Sequence, residues 1–183
     1  MRIVAGSHRG RRLAAPPGRV ARPTADRTRE AVFNILAHSA EVELDGAVVV
    51  DCFAGSGALG LEALSRGAAH AYFIEQNAQS LAALKANIEA LGEDARARAF
   101  RADAARPPPA PGRCTLAFLD APYHSDLSGP CLEALARAGW LAAGALAVVE
   151  VAADEDFAAP EGFEAVDERR YGAAKVIFAV YRG

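Results

Sequence analysis

The chain has 183 residues, 52% of them hydrophobic and 23% charged, with a formal net charge of −3. That length suits one domain with a full core, and no apolar run approaches the roughly 18 residues of a membrane span. Cys52, Cys114 and Cys131 lie far apart without CxxC spacing, which predicts core thiols in a reducing compartment and excludes a disulfide framework or a zinc centre.

Charge is unevenly placed along the chain. Residues 1–29 hold eight arginines against the single acid Asp26, a balance of +7, so the remainder carries −10. A basic arm ahead of an acidic body points to a phosphate-bearing partner, because guanidinium groups bind phosphate bidentately and release condensed counterions. The apolar alternation near Ile3 and the turn-like GSHRG and PPG segments predict a short hairpin. The opening residues lack the apolar stretch and small-residue cleavage site of a secretory signal, so a cytoplasmic location is expected.

In chain order, Thr24 is placed to cap a helix over about 25–38, with Ala31, Val32, Ile35 and Leu36 at helical spacing. AVVVDCF (47–53) has the β-branched apolar character of a strand buried on both faces. After a glycine-rich turn, LGLEALSRG reads as a helix ending at Gly67, AHAYFIE (69–75) as a second strand, and residues 77–92 as an amphipathic helix stopped by Gly92. ARARAFRAD (95–103) is a weaker third strand leading into the proline-rich segment 104–113. TLAFLD (115–120) is the fourth strand, residues 126–139 contain a helix, and ALAVVEV (145–151) is the fifth strand. FEAVDERRYG and AAKVIFAVYRG are two strands joined tightly near residues 171–173, a hairpin that makes the last strand antiparallel. Strands alternating with helices predict an α/β domain, with a mainly parallel seven-stranded sheet covered on both faces.

The segment DCFAGSGALG (51–60) joins strand to helix, where an open sheet binds nucleotides or nucleosides. Gly55, Gly57 and Gly60 satisfy GxGxxG, and Glu75 ends the next strand, placed to accept from two ribose hydroxyls. On spacing alone a dinucleotide fits as well as any ligand. Asp51 discriminates: a carboxylate just before the loop would repel a pyrophosphate, whereas S-adenosylmethionine brings cations. Asp103, at the end of the third strand, is placed to accept from an adenine amino group, or else is a helix cap or an exposed loop acid.

With DCFAGSGALGLEALSRGA, the acid at 75 and DAPY after the fourth strand, the chain resembles Rossmann-like class I S-adenosylmethionine-dependent methyltransferases that modify amino groups. RIVAGSHRGRRL followed by RPTADRTREAVFNIL is similar to the bacterial RsmD-like family, which methylates the exocyclic N2 of a guanine in 16S ribosomal RNA. The resemblance implies an RNA-binding arm over residues 1–23 and a methyltransferase domain over 24–183. It implies S-adenosylmethionine bound by Asp51, Phe53, Ala54, Gly55, Gly57, Glu75, Gln76, Asp103 and Ala104. Asp120 through its side chain and Ala121 through its carbonyl would accept the two N–H bonds of the target amine, with Pro122 shaping the turn and Tyr123 stacking on the flipped base. Arg2, Arg9, Arg11 and Arg12 would meet phosphates, while Arg22, Thr24 and Arg27 would line the mouth of the site. The implied partner is 16S rRNA in a partly or fully assembled small subunit, and the enzyme is expected to act as a monomer.

One departure stands out: the family's motif usually has proline where this chain has Ala121. The carbonyl is retained, and Pro122 still biases Ala121 towards extended backbone; losing the ring costs about 0.4–1 kcal/mol of rigidity. Three other readings stay open. A DNA adenine or protein glutamine methyltransferase would use the same clamp, a nicotinamide-dependent oxidoreductase the same glycine loop, and a non-catalytic RNA-binding module the same arm. His8, His38, His70 and His124 lack metal-ligand spacing, so no metal is expected and the four are read as incidental, with His124 beside the clamp.

Overall fold

A computed structural model describes residues 1–16 and 23–183, with side chains of the first helix from Arg27 onward. The elements are α1 (Pro23–Leu36), β1 (Val48–Cys52), α2 (Ala58–Ser65), β2 (His70–Ile74), α3 (Ala78–Leu91), β3 (Ala97–Phe100), β4 (Cys114–Asp120), α4 (Ser128–Arg137), β5 (Leu141–Ala152), β6 (Phe163–Tyr171) and β7 (Ala174–Tyr181). They form one seven-stranded sheet in the order β3-β2-β1-β4-β5-β7-β6. β1 to β5 are parallel neighbours, while β7 runs antiparallel to both β5 and β6. The predicted terminal hairpin and antiparallel last strand are therefore present.

Alternation along each strand divides the core. Leu116 and Phe118 of β4, Leu146 and Val148 of β5 and Phe178 of β7 face α1, α2 and α3. Ala117, Leu119, Val149 and Ile177 face the other way, towards Leu132 and Leu135 of α4 and the buried Trp140. The link from β3 to β4 has no helix; the proline-rich segment covers that face, with the Trp140 indole donating to the Pro108 carbonyl at 2.8 Å. All three cysteines are buried and free, and burial pushes the Cys114 thiol up to about 12.

Several boundaries differ from expectation for local reasons. α1 starts at Pro23, so Thr24 falls inside the first turn instead of capping it; proline is preorganised for the first helical position. Arg22 lies outside the described residues. The third strand is confined to Ala97–Phe100. β5 begins at Leu141, earlier than expected, because a register irregularity opposite Cys114 and Leu116 absorbs Gly144, at φ +79°. An isolated glycine in a strand pattern reads as a stop but also serves a bulge. α3 is capped as its sequence implies: the Asn77 side chain accepts from Gln79 and Ser80 N–H, and Gly92 is left-handed.

The arm lies against the body. Arg2 bridges Arg12 in antiparallel fashion, and Ile3 and Leu13 are buried in the α1–α3 side of the core. The anchor is Glu62 of α2, which is 0% exposed. Its two carboxylate oxygens accept Val4 N–H at 2.7 Å and Ala5 N–H at 3.0 Å. Arg66 Nε donates to it at 2.7 Å, and Arg29 Nε approaches to 3.8 Å. Gly6, at φ +80°, presses so closely on the end of α2 that a Cβ there would lie 1.8 Å from the Ser65 carbonyl oxygen. Asn87 of α3 holds Ala14 through both its N–H and its carbonyl and also donates to the Ser56 carbonyl.

His8, read from sequence as incidental, pairs with Glu93 at 2.5 Å, and Arg96 donates to the same carboxylate. Burial alone would raise the Glu93 carboxyl, but the hydrogen bonds from His8 and Arg96 outweigh it and hold the group below its ordinary value.

Two outcomes are expected. Glu62→Ala removes the buried acceptor of Val4 N–H, Ala5 N–H and Arg66 Nε, costing about 3–5 kcal/mol in urea unfolding; a loss under about 1 kcal/mol would remove Glu62 as the anchor. Because Glu93 titrates lower in the folded than in the unfolded chain, its contribution is complete above the ordinary carboxylate range and disappears as pH falls through the folded value. Glu93→Gln should therefore flatten the acid side of a stability–pH profile measured by denaturant titration.

Candidate active site

The carboxyl ends of the central strands bring the predicted acids to one edge. Asp51 is the fourth residue of β1, Glu75 follows β2, and Asp120 closes β4. Burial drives the Asp51 carboxyl well above its ordinary value, the Gly60 N–H opposes that rise, and the charges of Asp120 and Glu75 add to it. The three acids are thus near enough to share one electrostatic environment. One Asp51 oxygen accepts Gly60 N–H at 2.9 Å; the other is buried without a partner among the described residues. A buried carboxylate oxygen in that state calls for a donor, and a cation satisfies it best.

Glu75 differs in detail from its expected role. One oxygen accepts Gly55 N–H at 2.8 Å and the other Asn77 N–H at 2.7 Å, so the carboxylate also ties the glycine loop to the end of β2. Each oxygen keeps a second lone pair for a hydroxyl donor. The loop itself is sharply turned: Phe53, Gly55 and Gly57 have φ of 59°, 58° and 81°. Gly57 caps the start of α2, and a Cβ on it would meet Leu84 Cδ1 at 2.3 Å; one on Gly60 would meet Phe73 at 2.4 Å. These two glycines allow helix, strand and loop to approach closely.

Gln76 is exposed and Ala104 buried at the same edge. Asp103 caps its own turn, accepting Ala105 N–H at 2.9 Å through one oxygen. No helix follows it, so it is not a helix cap; its second oxygen remains open to another donor.

The clamp follows β4. Asp120 is exposed, Ala121 is 5% exposed, and Pro122 and Tyr123 face outward. Tyr123 is tethered: its hydroxyl donates to Glu150 Oε1 of β5 at 2.7 Å. Asp120 and Glu150 are register partners on adjacent parallel strands and share a cleft of about 100 Å³ with Met1, Arg29, Ala58 and Leu59. After Tyr123 the chain turns through left-handed His124 and Asp126, at φ 57° and 53°. Glu155 holds that turn by accepting His124 N–H at 2.9 Å and Ala152 N–H at 3.2 Å. Sequence reasoning missed Glu150, Glu155 and Met1. For Glu150 a signal existed, because an acid ends the apolar run AVVE as acids end the runs before it.

The arginines separate. Arg2, Arg9 and Arg27 line one cavity of about 470 Å³ with Glu30, between the arm and α1. Arg11 instead donates to the Ala90 carbonyl near the end of α3, and Arg12 sits opposite Arg2. Arg22 is outside the described residues, and Thr24 is described only as a helical position. Among the described residues no group of His, Cys, Asp or Glu could hold a metal, and no helix is long and apolar enough to cross a membrane.

Strand order, glycine loop and acids at the strand ends together define a class I methyltransferase fold. Residues 1–180 match the family described as "Conserved hypothetical protein 95". Over 157 residues the chain is 43% identical to ribosomal RNA small subunit methyltransferase D of Escherichia coli (strain K12), covering 82% of this chain and 74% of that one. The Haemophilus influenzae protein of the same name is 35% identical over 179 residues, covering 94% and 89%. The solved Escherichia coli structure described as "Putative methyltransferase yhhF" superposes with a TM-score of 0.83 at 34% identity, over 100% of this chain and 98% of that one. The chain belongs to the family of ribosomal RNA small subunit methyltransferase D.

Gly57→Ala is expected to be costly, combining about 1–2 kcal/mol for left-handed backbone with about 1–3 kcal/mol of overpacking against Leu84. Thermal unfolding checks this; an unchanged midpoint would remove close packing as the reason for glycine there.

Proposed function

We propose that the protein transfers a methyl group from S-adenosylmethionine to the exocyclic N2 of a guanine in 16S ribosomal RNA. The observation that carries the reading is the meeting of Asp51, Glu75 and Asp120 at the carboxyl ends of neighbouring parallel strands, beside a clamp whose last residue is tethered across the cleft. The named relatives, ribosomal RNA small subunit methyltransferases, support the substrate class.

When bound, S-adenosylmethionine supplies a methyl group made electrophilic by its sulfonium. The residues at the glycine loop suit that ligand. The unpartnered oxygen of Asp51 offers an acceptor for its amino group, Glu75 acceptors for ribose hydroxyls, and Asp103 one for the adenine amine, with Phe53, Ala54, Gly55, Gly57, Gln76 and Ala104 forming the surrounding walls. A pyrophosphate would meet uncompensated negative charge at Asp51, which disfavours a dinucleotide.

The guanine amine is a weak nucleophile because its lone pair is delocalised into the ring, so orientation matters more than a strong base. Asp120 accepts one N–H and the Ala121 carbonyl the other, which favours pyramidal nitrogen and directs its lone pair. Ala121 is buried and followed by Pro122, so the carbonyl stays fixed without the missing first ring. Tyr123 presents its ring to the flipped base, and its hydroxyl bond to Glu150 restricts the side chain before the base arrives.

Arg2, Arg9 and Arg27 bind phosphate around the cavity beneath the arm, and the 1–23 arm is the RNA-contacting unit of the 24–183 methyltransferase domain. The substrate is the rRNA in a partly or fully assembled subunit, where a folded RNA surface spans both arm and cleft. The enzyme acts as a cytoplasmic monomer. Tyr123 and Val166 are the exposed large hydrophobics among the described residues, too little for an obligate interface, and the free buried thiols suit a reducing compartment.

Asp120→Ala should lower methyl transfer by about 10²–10³ while leaving S-adenosylmethionine affinity nearly unchanged, measured by labelled-methyl incorporation into rRNA and by calorimetry. Unchanged turnover would overturn the clamp. Calorimetric binding of NAD in place of S-adenosylmethionine would overturn the whole reading.

A further inference from the structure

We infer that Glu150 determines base specificity by accepting the N1–H of the target guanine while Asp120 and Ala121 accept the two N2–H bonds. The inference rests on the guanine-N2 reading and extends it from the reacting amine to the edge that carries it.

Three observations converge on Glu150. It is the register partner of Asp120 on the next parallel strand, so the two side chains leave the sheet on the same face about one strand spacing apart. Both line the same cleft of about 100 Å³. Its Oε1 is held by the Tyr123 hydroxyl at 2.7 Å, which fixes the carboxylate while Oε2 takes no partner among the described residues. At about 100 Å³ the cleft has room for the edge of a base, and Tyr123 reaches it through its bond to Glu150.

The chemistry of the edge supplies the match. Guanine presents three N–H bonds in a row, one on N1 and two on N2. The Glu150 and Asp120 carboxylates line the cleft, and the Ala121 carbonyl follows directly after Asp120 in the chain. Adenine offers a lone pair at N1, which would face the Glu150 carboxylate and repel it. A half-buried acceptor that loses its donor cannot be fully rescued by water, so this contact rejects bases lacking N1–H. A clamp of Asp120 and Ala121 alone recognises an amino group but not the ring atom next to it.

Glu150 could serve only to hold Tyr123, and the test separates the two roles. The probes are rRNA substrates carrying either guanine or 2,6-diaminopurine at the methylated position; both have the C2 amine, but diaminopurine has no hydrogen on N1. The wild type should prefer guanine by at least about tenfold in kcat/KM. Glu150→Leu, which keeps the bulk and removes the acceptor, should bring the two substrates to within a few-fold of each other. Glu150→Ala provides the same reading if the leucine disturbs β5. Tyr123→Phe, which removes only the tether, should slow both substrates alike and keep the guanine preference. If the Glu150 variants also slow both substrates alike with the preference intact, Glu150 is only a positioning residue for Tyr123 and the inference is overturned. If the wild type forms no N2-methylguanine on rRNA at all, it is the guanine-N2 reading that fails.

Discussion

The fully buried carboxylate of Glu62 is the point on which arm, α1 and α2 meet. An ionised group removed from water is tolerated only when its lone pairs are filled, and here main-chain N–H groups of the arm do much of the filling. The arm therefore cannot leave without exposing the cost of that charge. This has a consequence far from Glu62: Met1 is held at the clamp cleft and Arg2 at the basic cavity beside α1. The basic cavity proposed to meet phosphate and the cleft proposed to meet the base are thus joined by consecutive residues of the arm.

A second electrostatic problem lies at the sheet edge. Parallel strands direct their carboxyl ends to one side, and Asp51, Glu75, Asp120 and Glu150 all lie there. Burial raises the Asp51 carboxyl well above its ordinary value, and the neighbouring charges of Asp120 and Glu75 add to that rise. The fold answers with main-chain donors at Gly60, Gly55 and Asn77 and with the Tyr123 hydroxyl. What remains unfilled, an Asp51 oxygen and an edge of Glu150, is an array of acceptors suited to a cationic amine and an N–H-rich base.

Much of this was legible in the chain. The β-branched runs, the glycine loop and the acids at strand ends place β1, β2 and β4 and most of their site residues, because a buried parallel strand has a distinctive composition and its end is marked by polar residues. Asn77 and Gly92 similarly bound α3. The exceptions have local causes. The fifth strand, expected from residue 145, starts at Leu141 because Gly144 lies in a bulge, and Thr24, expected as the cap, follows a proline that starts the helix.

Residues whose roles depend on distant partners were not legible. Glu62 reads as an ordinary acid inside LGLEALS, and only docking of the arm 58 residues earlier makes it an anchor. His8 looked incidental because its partner, Glu93, is 85 residues away. Glu150 acquires meaning only when β5 pairs with β4 in the register that sets it beside Asp120. Local pattern, carried by period, turn chemistry and strand-end acids, determined the fold class and put Asp51, Glu75 and Asp120 at the strand ends, with Ala121 directly after β4. Strand register and the docking of the arm decided which side chains face one another across the cleft, because those pairings are made between segments that share no local signal.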